Sequence, residues 1–397
     1  MNRRTLLKAG GLALCGVGFA GGGSALAQAA VLMPAGSRRV LTLAPVRVSW
    51  DRVIRTTVGL RPHRDSGFVL RAEKQGKQLL VHNYGHGGAG VSLAWGTGAM
   101  AADMALAQDA RRAAVIGCGA VGLAAARQLQ RRGFDVTIYT ATVPPDTTSN
   151  MSMAGFTPTS GLVARDRRTP AWDAQFTQAA EIAFHQLQLL AGSQYGVSWI
   201  DNFQATDDPT PQDGGEEAGL LPERLRPGRD REVLGPGEHP FPTRFAVRTP
   251  SLRIEPSIYL DALVRDFLLF GGHIVIRRFE SAADVRTLAE PVVVNCTGLG
   301  ARALFSDDEL VPVKGQLTFL TPQEEITYRA GRGSGRPPGA PADGSGVGMT
   351  PRSDGIVLGN TQERGNWSLD VNEEVRQRVV ANAMQFFGAM TNPGAAS

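Results

Sequence analysis

Two glycine-rich turns hold the residues whose types and spacing could do chemistry. The first, His82-Asn83-Tyr84-Gly85-His86-Gly87-Gly88-Ala89-Gly90, follows the apolar Leu79-Leu80-Val81. The second, Gly117-Cys118-Gly119-Ala120-Val121-Gly122, follows Ala113-Ala114-Val115-Ile116. Bare backbone in such turns brings N–H groups close to an anion or an aromatic ring. The two histidines of the first turn raise the question of a metal. The intervening glycines keep them off a common helical face, and the spacing fits no ligand pattern, so no metal is expected.

The second turn is a G-x-G-x-x-G motif in context. An apolar strand leads into it, a helix through Arg131 follows, and a second strand runs from Val136 to Tyr139. That combination predicts a dinucleotide site with the pyrophosphate at the helix N-terminus. The acid expected after the second strand is replaced by Thr140-Ala141-Thr142, leaving the ribose to backbone or hydroxyl groups. Asp146-Thr147-Thr148-Ser149-Asn150 is either a polar cluster beside the nucleotide or a simple turn. Pro291 to Val294 reads as a buried strand that delivers Asn295-Cys296-Thr297-Gly298 to the carboxyl edge of a parallel sheet.

Other elements must position these turns. The first turn runs into a helix through Trp95 toward Met104. Val46 to Leu60 is strand-rich, and Arg61-Pro62-His63-Arg64 is expected to end it, with further strands at 67–72 and 78–82. Apolar spacing predicts helices over 172–190 and 371–390, and Pro256 opens one that Gly271 closes. Strands are expected at 274–276, 313–320 and 355–358. Asp207 to Pro242 reads as a surface insertion and Ala330 to Gly346 as a loop.

Asn2-Arg3-Arg4-Thr5-Leu6-Leu7-Lys8, the apolar run Ala9–Ala20 and Ala25-Leu26-Ala27 form a twin-arginine signal pattern over residues 1–27. Export of a folded, cofactor-bearing protein to the periplasm is therefore expected, with no stable membrane anchor after cleavage. Of 41 basic and 37 acidic residues, three bases (Arg3, Arg4, Lys8) leave with the signal, so 38 face 37. That near-neutral balance gives no reason to expect nucleic acid. Cys118 and Cys296 sit in apolar strand-turn segments and are expected as buried free thiols.

Together these segments resemble the D-amino-acid oxidase family of flavoenzymes over nearly all of the chain beyond the signal. Leu80-Val81-His82-Asn83-Tyr84-Gly85-His86-Gly87-Gly88-Ala89-Gly90 with Gly96 looks like that family's most distinctive signature, departing at Gly98 where alanine is usual. Arg61-Pro62-His63-Arg64, Thr147-Thr148-Ser149-Asn150, Val294-Asn295-Cys296-Thr297-Gly298 and Gly365-Asn366-Trp367-Ser368 match further segments. Their order is cyclically shifted: the segment that usually closes the chain comes first. The resemblance therefore implies a circular permutation, with new ends between the helix near Met390 and the strand near Val46.

The implied fold is α/β, with a Rossmann-like, parallel-sheet FAD-binding part at 63–165 and 251–305. An α+β substrate part with a mixed or antiparallel sheet is expected at 45–62, 166–250 and 306–390, after a linker at 28–44 and before a tail at 391–397. The implied cofactor is FAD, and the implied substrates are a D-amino acid and O2. Hydride transfer from Cα to flavin N5 would end in a 2-oxo acid, ammonia and hydrogen peroxide. The resemblance makes Arg64 the carboxylate clamp and sets Gly88 against the flavin ring. Gly87, Gly90, Val91 and Ser92 would line the ring. Gly117, Gly119, Gly122, Thr147, Thr148, Ser149, Gly155, Thr297 and Gly298 would hold the rest of the cofactor. Two departures touch the substrate: Gly344 to Pro351 holds no tyrosine, and no aromatic or glutamine follows Ala154-Gly155-Phe156. The alternatives are a dehydrogenase serving a periplasmic electron carrier and a catalytically silent flavoprotein.

Overall fold

Runs of buried aliphatic residues set the first of two sheets in this computed structural model, which describes residues 40–210, 219–226, 230–333, 343–359 and 361–393. The signal at 1–27 and linker residues 28–39 lie outside the described residues. In chain order the strands are β1 (Val53–His63), β2 (Val69–Gln75), β3 (Gln78–Tyr84), β4 (Arg112–Ile116) and β5 (Asp135–Thr140). Then come β6 (Val197–Thr206), β7 (Glu232–Leu234), β8 (Phe245–Ile254), β9 (His273–Ile276) and β10 (Val292–Asn295). β11 (Val311–Leu320), β12 (Tyr328–Arg332), β13 (Val347–Arg352), β14 (Gly355–Leu358) and β15 (Glu363–Arg364) follow. The helices are α1 (Gly90–Ala105), α2 (Ala120–Arg131), α3 (Pro170–Leu189) and α4 (Pro256–Leu269), then α5 (Ala282–Arg286), α6 (Ala301–Phe305) and α7 (Glu373–Gly388).

The six-stranded sheet has the order β2-β3-β10-β4-β5-β9. Every neighbouring pair is parallel except β2 with β3. Central β10 is buried along its length because both edges and both faces are covered. Val81, Val115 and Val294 face α1, α2 and α4 on one side, and Leu80, Ala114 and Val293 face the α5–α6 layer on the other. The nine-stranded sheet has the order β1-β11-β14-β13-β12-β6-β8-β7, with β15 also on β11. Its pairs are antiparallel except β12 with β6. One face packs against α7 through Met349, Leu358, Tyr328, Val379 and Phe386.

Helix α1 is buried on nearly every side because it runs between α2 and α3. Two glycines permit this. A side chain at Gly96 would overlap the Ala179 carbonyl of α3, and one at Gly98 would lie 2.9 Å from the Ala125 nitrogen of α2. The family-typical alanine at position 98 therefore has no room here. Thr169 caps α3 by accepting from Trp172 N–H, and Pro170 opens it. Asn372 caps α7, so that helix begins at Glu373 and the exposed Val371 lies outside it.

Three further expectations change. Arg61-Pro62-His63 does not end a strand; β1 continues through it, with Pro62 opposite Pro312. Proline is tolerated there because β1 is an edge strand. The 207–242 insertion is not wholly a surface feature: it contributes β7, and Leu221, Leu234 and Phe241 are buried. Part of the 330–346 loop is strand, since β12 runs to Arg332. Gly96→Ala should cost about 1–3 kcal/mol as overpacking despite alanine's better helix propensity. Denaturant unfolding checks this, and an unchanged midpoint would show that α1 and α3 can part freely.

Candidate functional site

The turns from β3 into α1 and from β4 into α2 leave the same carboxyl edge of the parallel sheet. A side chain at Gly90 would lie 3.8 Å from Val121 Cγ2, so the two helices begin side by side. Neither has a side-chain cap from its N-cap residue, Ala89 or Gly119, and neither carries an acid in its first turn. Two adjacent helix N-termini concentrate N–H donors and partial positive charge at one spot. An anionic ligand would relieve that repulsion.

Around this spot the expected cofactor residues gather. Gly117 has φ +110°, and a side chain there would lie 2.6 Å from the Cys296 carbonyl. At Gly122 a side chain would overlap the Gly117 carbonyl. Ser149 Oγ accepts from Ala120 N–H at 3.0 Å and crosses from the 147–150 cluster to the start of α2. Thr147 Oγ1 donates to Asn150 Oδ1, which shapes that cluster, while Thr148 presents its carbonyl toward Gly59. Asn295 Oδ1 accepts from Thr297 N–H and Oγ1–H, and its amide donates to His82 Nδ1 at 3.1 Å. The Thr297–Gly298 turn is thereby tied to β3. Gly298, with φ +57°, faces Pro62. Thr140, at the missing acid's position, spends its hydroxyl on the Thr142 carbonyl.

The first turn is enclosed. Gly87 N–H donates to the Pro62 carbonyl, and Ser160 Oγ occupies the place of a side chain at Gly88. Val91 and Ser92 are buried, and Ser92 Oγ accepts from Thr157 N–H at 2.8 Å and donates to the Gly155 carbonyl. The turn's histidines diverge: His82 points to Asn295 and Glu73, and His86 to Thr97 Oγ1, stacked on Phe68. Among the described residues no three potential metal ligands cluster. Cys118 and Cys296 are free thiols, and burial pushes Cys118 up to about 12.

Arg64 is not available as a clamp. All five of its N–H groups are engaged, by Asp307, Glu309, the Ser66 hydroxyl and the Gly67 carbonyl. It lines a hollow of about 480 Å³ with Arg71, Glu73, Tyr84 and Asp307. Strand alternation puts Arg61 in different surroundings. Gly59, Arg61 and His63 share one face of β1, and side chains at Gly59 and Gly87 would meet Met151 and His63. The Arg61 guanidinium lies over Gly315, where a side chain would come within 2.6 Å of Nη2. It donates to the Thr361 carbonyl at 3.0 Å and meets no carboxylate among the described residues. Burial lowers its pKa, as expected for a cation without a partner anion.

The profile of the family described as FAD dependent oxidoreductase matches residues 7–104 and 112–396. The chain belongs to the FAD dependent oxidoreductase family. It is similar to a D-amino acid oxidase of Dugesia ryukyuensis, 27% identical over 264 residues, which are 64% of this chain and 71% of the relative. It is also similar to a D-aspartate oxidase of Homo sapiens, 26% identical over 277 residues, 69% of this chain and 75% of the relative. Among solved structures, an L-proline dehydrogenase from P. horikoshii superposes with TM-score 0.50 at 15% identity, covering 70% of this chain and 78% of that one. At that identity the likeness is one of fold.

The residues present fit the family's cofactor, FAD. The adjacent helix N-termini and the backbone space at Gly117, Gly119 and Gly122 suit its diphosphate, with Ser149, Thr297 and Gly298 beside them. The Gly87–Ser92 turn and Gly155 would hold its ring system. FAD, when bound, supplies the two-electron acceptor. His86 gives a pH test of this enclosure. Burial pushes it down to about 4, whereas in the unfolded chain it titrates near 6.5. The unfolded state therefore binds the extra proton, and stability falls as pH drops from 6.5 toward 4, by about 3 kcal/mol in all. Urea unfolding of wild type and His86→Gln at pH 7 and pH 4 should show that extra loss in the wild type alone. Parallel losses would place the charged imidazole comfortably inside.

Proposed function

We propose that this chain is an exported FAD-dependent oxidase that deaminates D-amino acids. The reaction is D-amino acid + O2 + H2O to 2-oxo acid + NH3 + H2O2. The observation that carries the reading is Arg61, a half-buried guanidinium without a carboxylate among the described residues, on the sheet face that meets the Gly87 turn and Met151. A planar fork there receives an α-carboxylate bidentately and fixes the Cα–H direction relative to the cofactor. The relatives named above, which are a D-amino acid oxidase and a D-aspartate oxidase, support an amino-acid donor. Loop Thr157–Leu162, against Gly87 and Gly88, would keep bulk water from the ring edge.

The test starts from a periplasmic fraction, where the Arg3-Arg4 signal would deliver a yellow protein. Anaerobic addition of D-amino acids should bleach the flavin bands, and air should restore them with peroxide release. Arg61→Met should lower kcat/KM by about 100-fold or more, the scale for truncating one partner of a buried charge pair. Arg64→Met should act on stability through Asp307 and Glu309. Dye reduction without oxygen uptake would identify a dehydrogenase, and a spectrum unmoved by every D-amino acid would defeat the reading.

We further propose that the chain is a circular permutation of its family's usual order. Support comes from the sheet order β3-β10-β4-β5-β9, in which β4, β5 and β9 follow one another outward from the G-x-G-x-x-G strand while the earlier β3 takes the far position. The ends that permutation would join are adjacent: Leu43 N–H donates to Asn392 Oδ1 at 3.0 Å, and Asn392 Nδ2 donates to the Leu43 carbonyl. The family match also breaks between 104 and 112. A chain opened between Gln108 and Arg111 and closed from Asn392 to Leu43 by a short linker should fold and load FAD. Failure of soluble, cofactor-free material to bind added FAD would count against it.

A further inference from the structure

A second arginine on the same sheet face lacks a carboxylate among the described residues. Facing is established by pairing: Arg61 stands opposite Val313, and Gly315, Leu317 and Phe319 follow on that side of β11. Phe319 pairs with Val357, Val357 with Thr350, and Thr350 Oγ1 accepts from Arg329 Nε at 3.1 Å. Arg329 thus projects from the face that carries Arg61, opposite the face covered by α7. Its other described bond is from Nη1 to the Ser251 hydroxyl at 3.2 Å. Two neutral hydroxyls do not neutralise a guanidinium.

The contrast with neighbouring arginines is sharp. Arg352 holds Asp354, Arg253 holds Glu255, Arg55 holds Asp354 and Arg248 holds Asp201 and Glu232. Arg55, Arg352 and Arg253 share the face of Arg61 and Arg329, beside Phe319 or two residues from Ser251, yet each of these three has a carboxylate partner. Arg61 and Arg329 are left without one among the described residues, and burial lowers the pKa of both. An interior cation without a counter-ion is costly, so each is built for an anion that arrives from outside.

The segment Met151–Gly155 joins the two. Met151 Cβ abuts Gly59, two residues before Arg61, while Met153 packs on Leu317 and Phe319. At the far end a side chain at Gly155 would lie 2.8 Å from Arg329 Nη1. Four peptide steps cover this path, at most about 15 Å between the end Cα atoms. Both arginine side chains can reach into such a span. The Gly155 carbonyl accepts from Ser92 Oγ, so Arg329 also stands beside the turn that would hold the cofactor ring.

We propose that the substrate is an acidic D-amino acid, with its α-carboxylate on Arg61 and its side-chain carboxylate on Arg329. This rests on the oxidase reading above and narrows it. It also gives a physical sense to the missing tyrosines of 344–351: the pocket wall carries Thr350 bound to Arg329.

The holoenzyme is compared on matched pairs, D-aspartate with D-asparagine and D-glutamate with D-glutamine, by anaerobic flavin bleaching. At least one acid should exceed its amide by about 100-fold in kcat/KM, as a desolvated charge pair implies. Arg329→Leu should lower the acid's kcat/KM by about 100-fold more than the amide's, and Arg329→Lys should keep part of the preference. Succinate, which cannot be deaminated, should raise the melting temperature of the wild type more than propionate does, and the Leu variant should lose that difference. Equal rates for acid and amide in both pairs would overturn the proposal. So would an equal fall for both in Arg329→Leu together with loss of bound FAD, which would assign the charge to the cofactor. If no amino acid bleaches the flavin, the oxidase reading falls; selective protection by succinate would still uphold the Arg329 subsite, and its absence would remove that too.

Discussion

The structure depends on two helices beginning at the same place with no cap from the N-cap residues Ala89 and Gly119, Ser149 meeting only the Ala120 N–H. Each N-terminus carries roughly half a positive charge, and placing two together is unfavourable in the absence of an anion. What holds them there is packing. Gly96 lets α1 reach the α3 backbone and Gly98 lets it reach α2, so α1 cannot shift to relieve the repulsion. The helix start is then an electrostatic well fixed by backbone contact. Ser149, Thr297 and Gly298 surround it, Ser149 bonded to Ala120 at the start of α2 and Thr297 held by Asn295.

The same principle, charge left uncompensated by design of the packing, recurs on the nine-stranded sheet. β1 carries Arg61, and Arg64 follows just after its last residue, His63. Alternation along the strand and the end of pairing after His63 send them to different surroundings. One meets Asp307 and Glu309 and is neutralised; the other lies over Gly315 and is not. Charge pairing thus separates a structural arginine from one available to a ligand. Sequence spacing alone does not, since either arginine satisfies the motif.

Much of the nucleotide half was legible in the sequence because its signals are local. The strand, the glycines and the following helix of 113–131 are contiguous, and the buried Val292–Val294 run allows few settings in an α/β protein. The first glycine turn was legible for the same reason. In the nine-stranded sheet single strands such as 313–320 and 355–358 were legible, but their order was not, because pairings join residues hundreds of positions apart, as between Arg61 and Val313. Pro62 looked like a terminator since proline usually is one; only the edge position of β1 removes the penalty. Arg329 carried no local signal at all. What sets it apart is that no carboxylate among the described residues stands next to it, and that is a property of the assembled sheet.

The joints between the two sheets explain how a cyclic shift of the chain could leave such a site intact. Gly87 N–H bonds to Pro62, Phe156 N–H to Leu252, and Arg352 to the Ser152 carbonyl. Each of these links fixes one side of the site by contact across space rather than by the direction or order in which the segments are connected. The short α1–β4 connection and the Leu43–Asn392 pairing lie outside the set of contacts that hold the cofactor turns. Moving the chain ends from one to the other changes loop entropy by a modest, logarithmic amount and leaves the enthalpy of those contacts untouched. On that account the position of the chain ends is a weakly constrained feature of this fold, whereas the glycines at 96, 98 and 122 are tightly constrained ones.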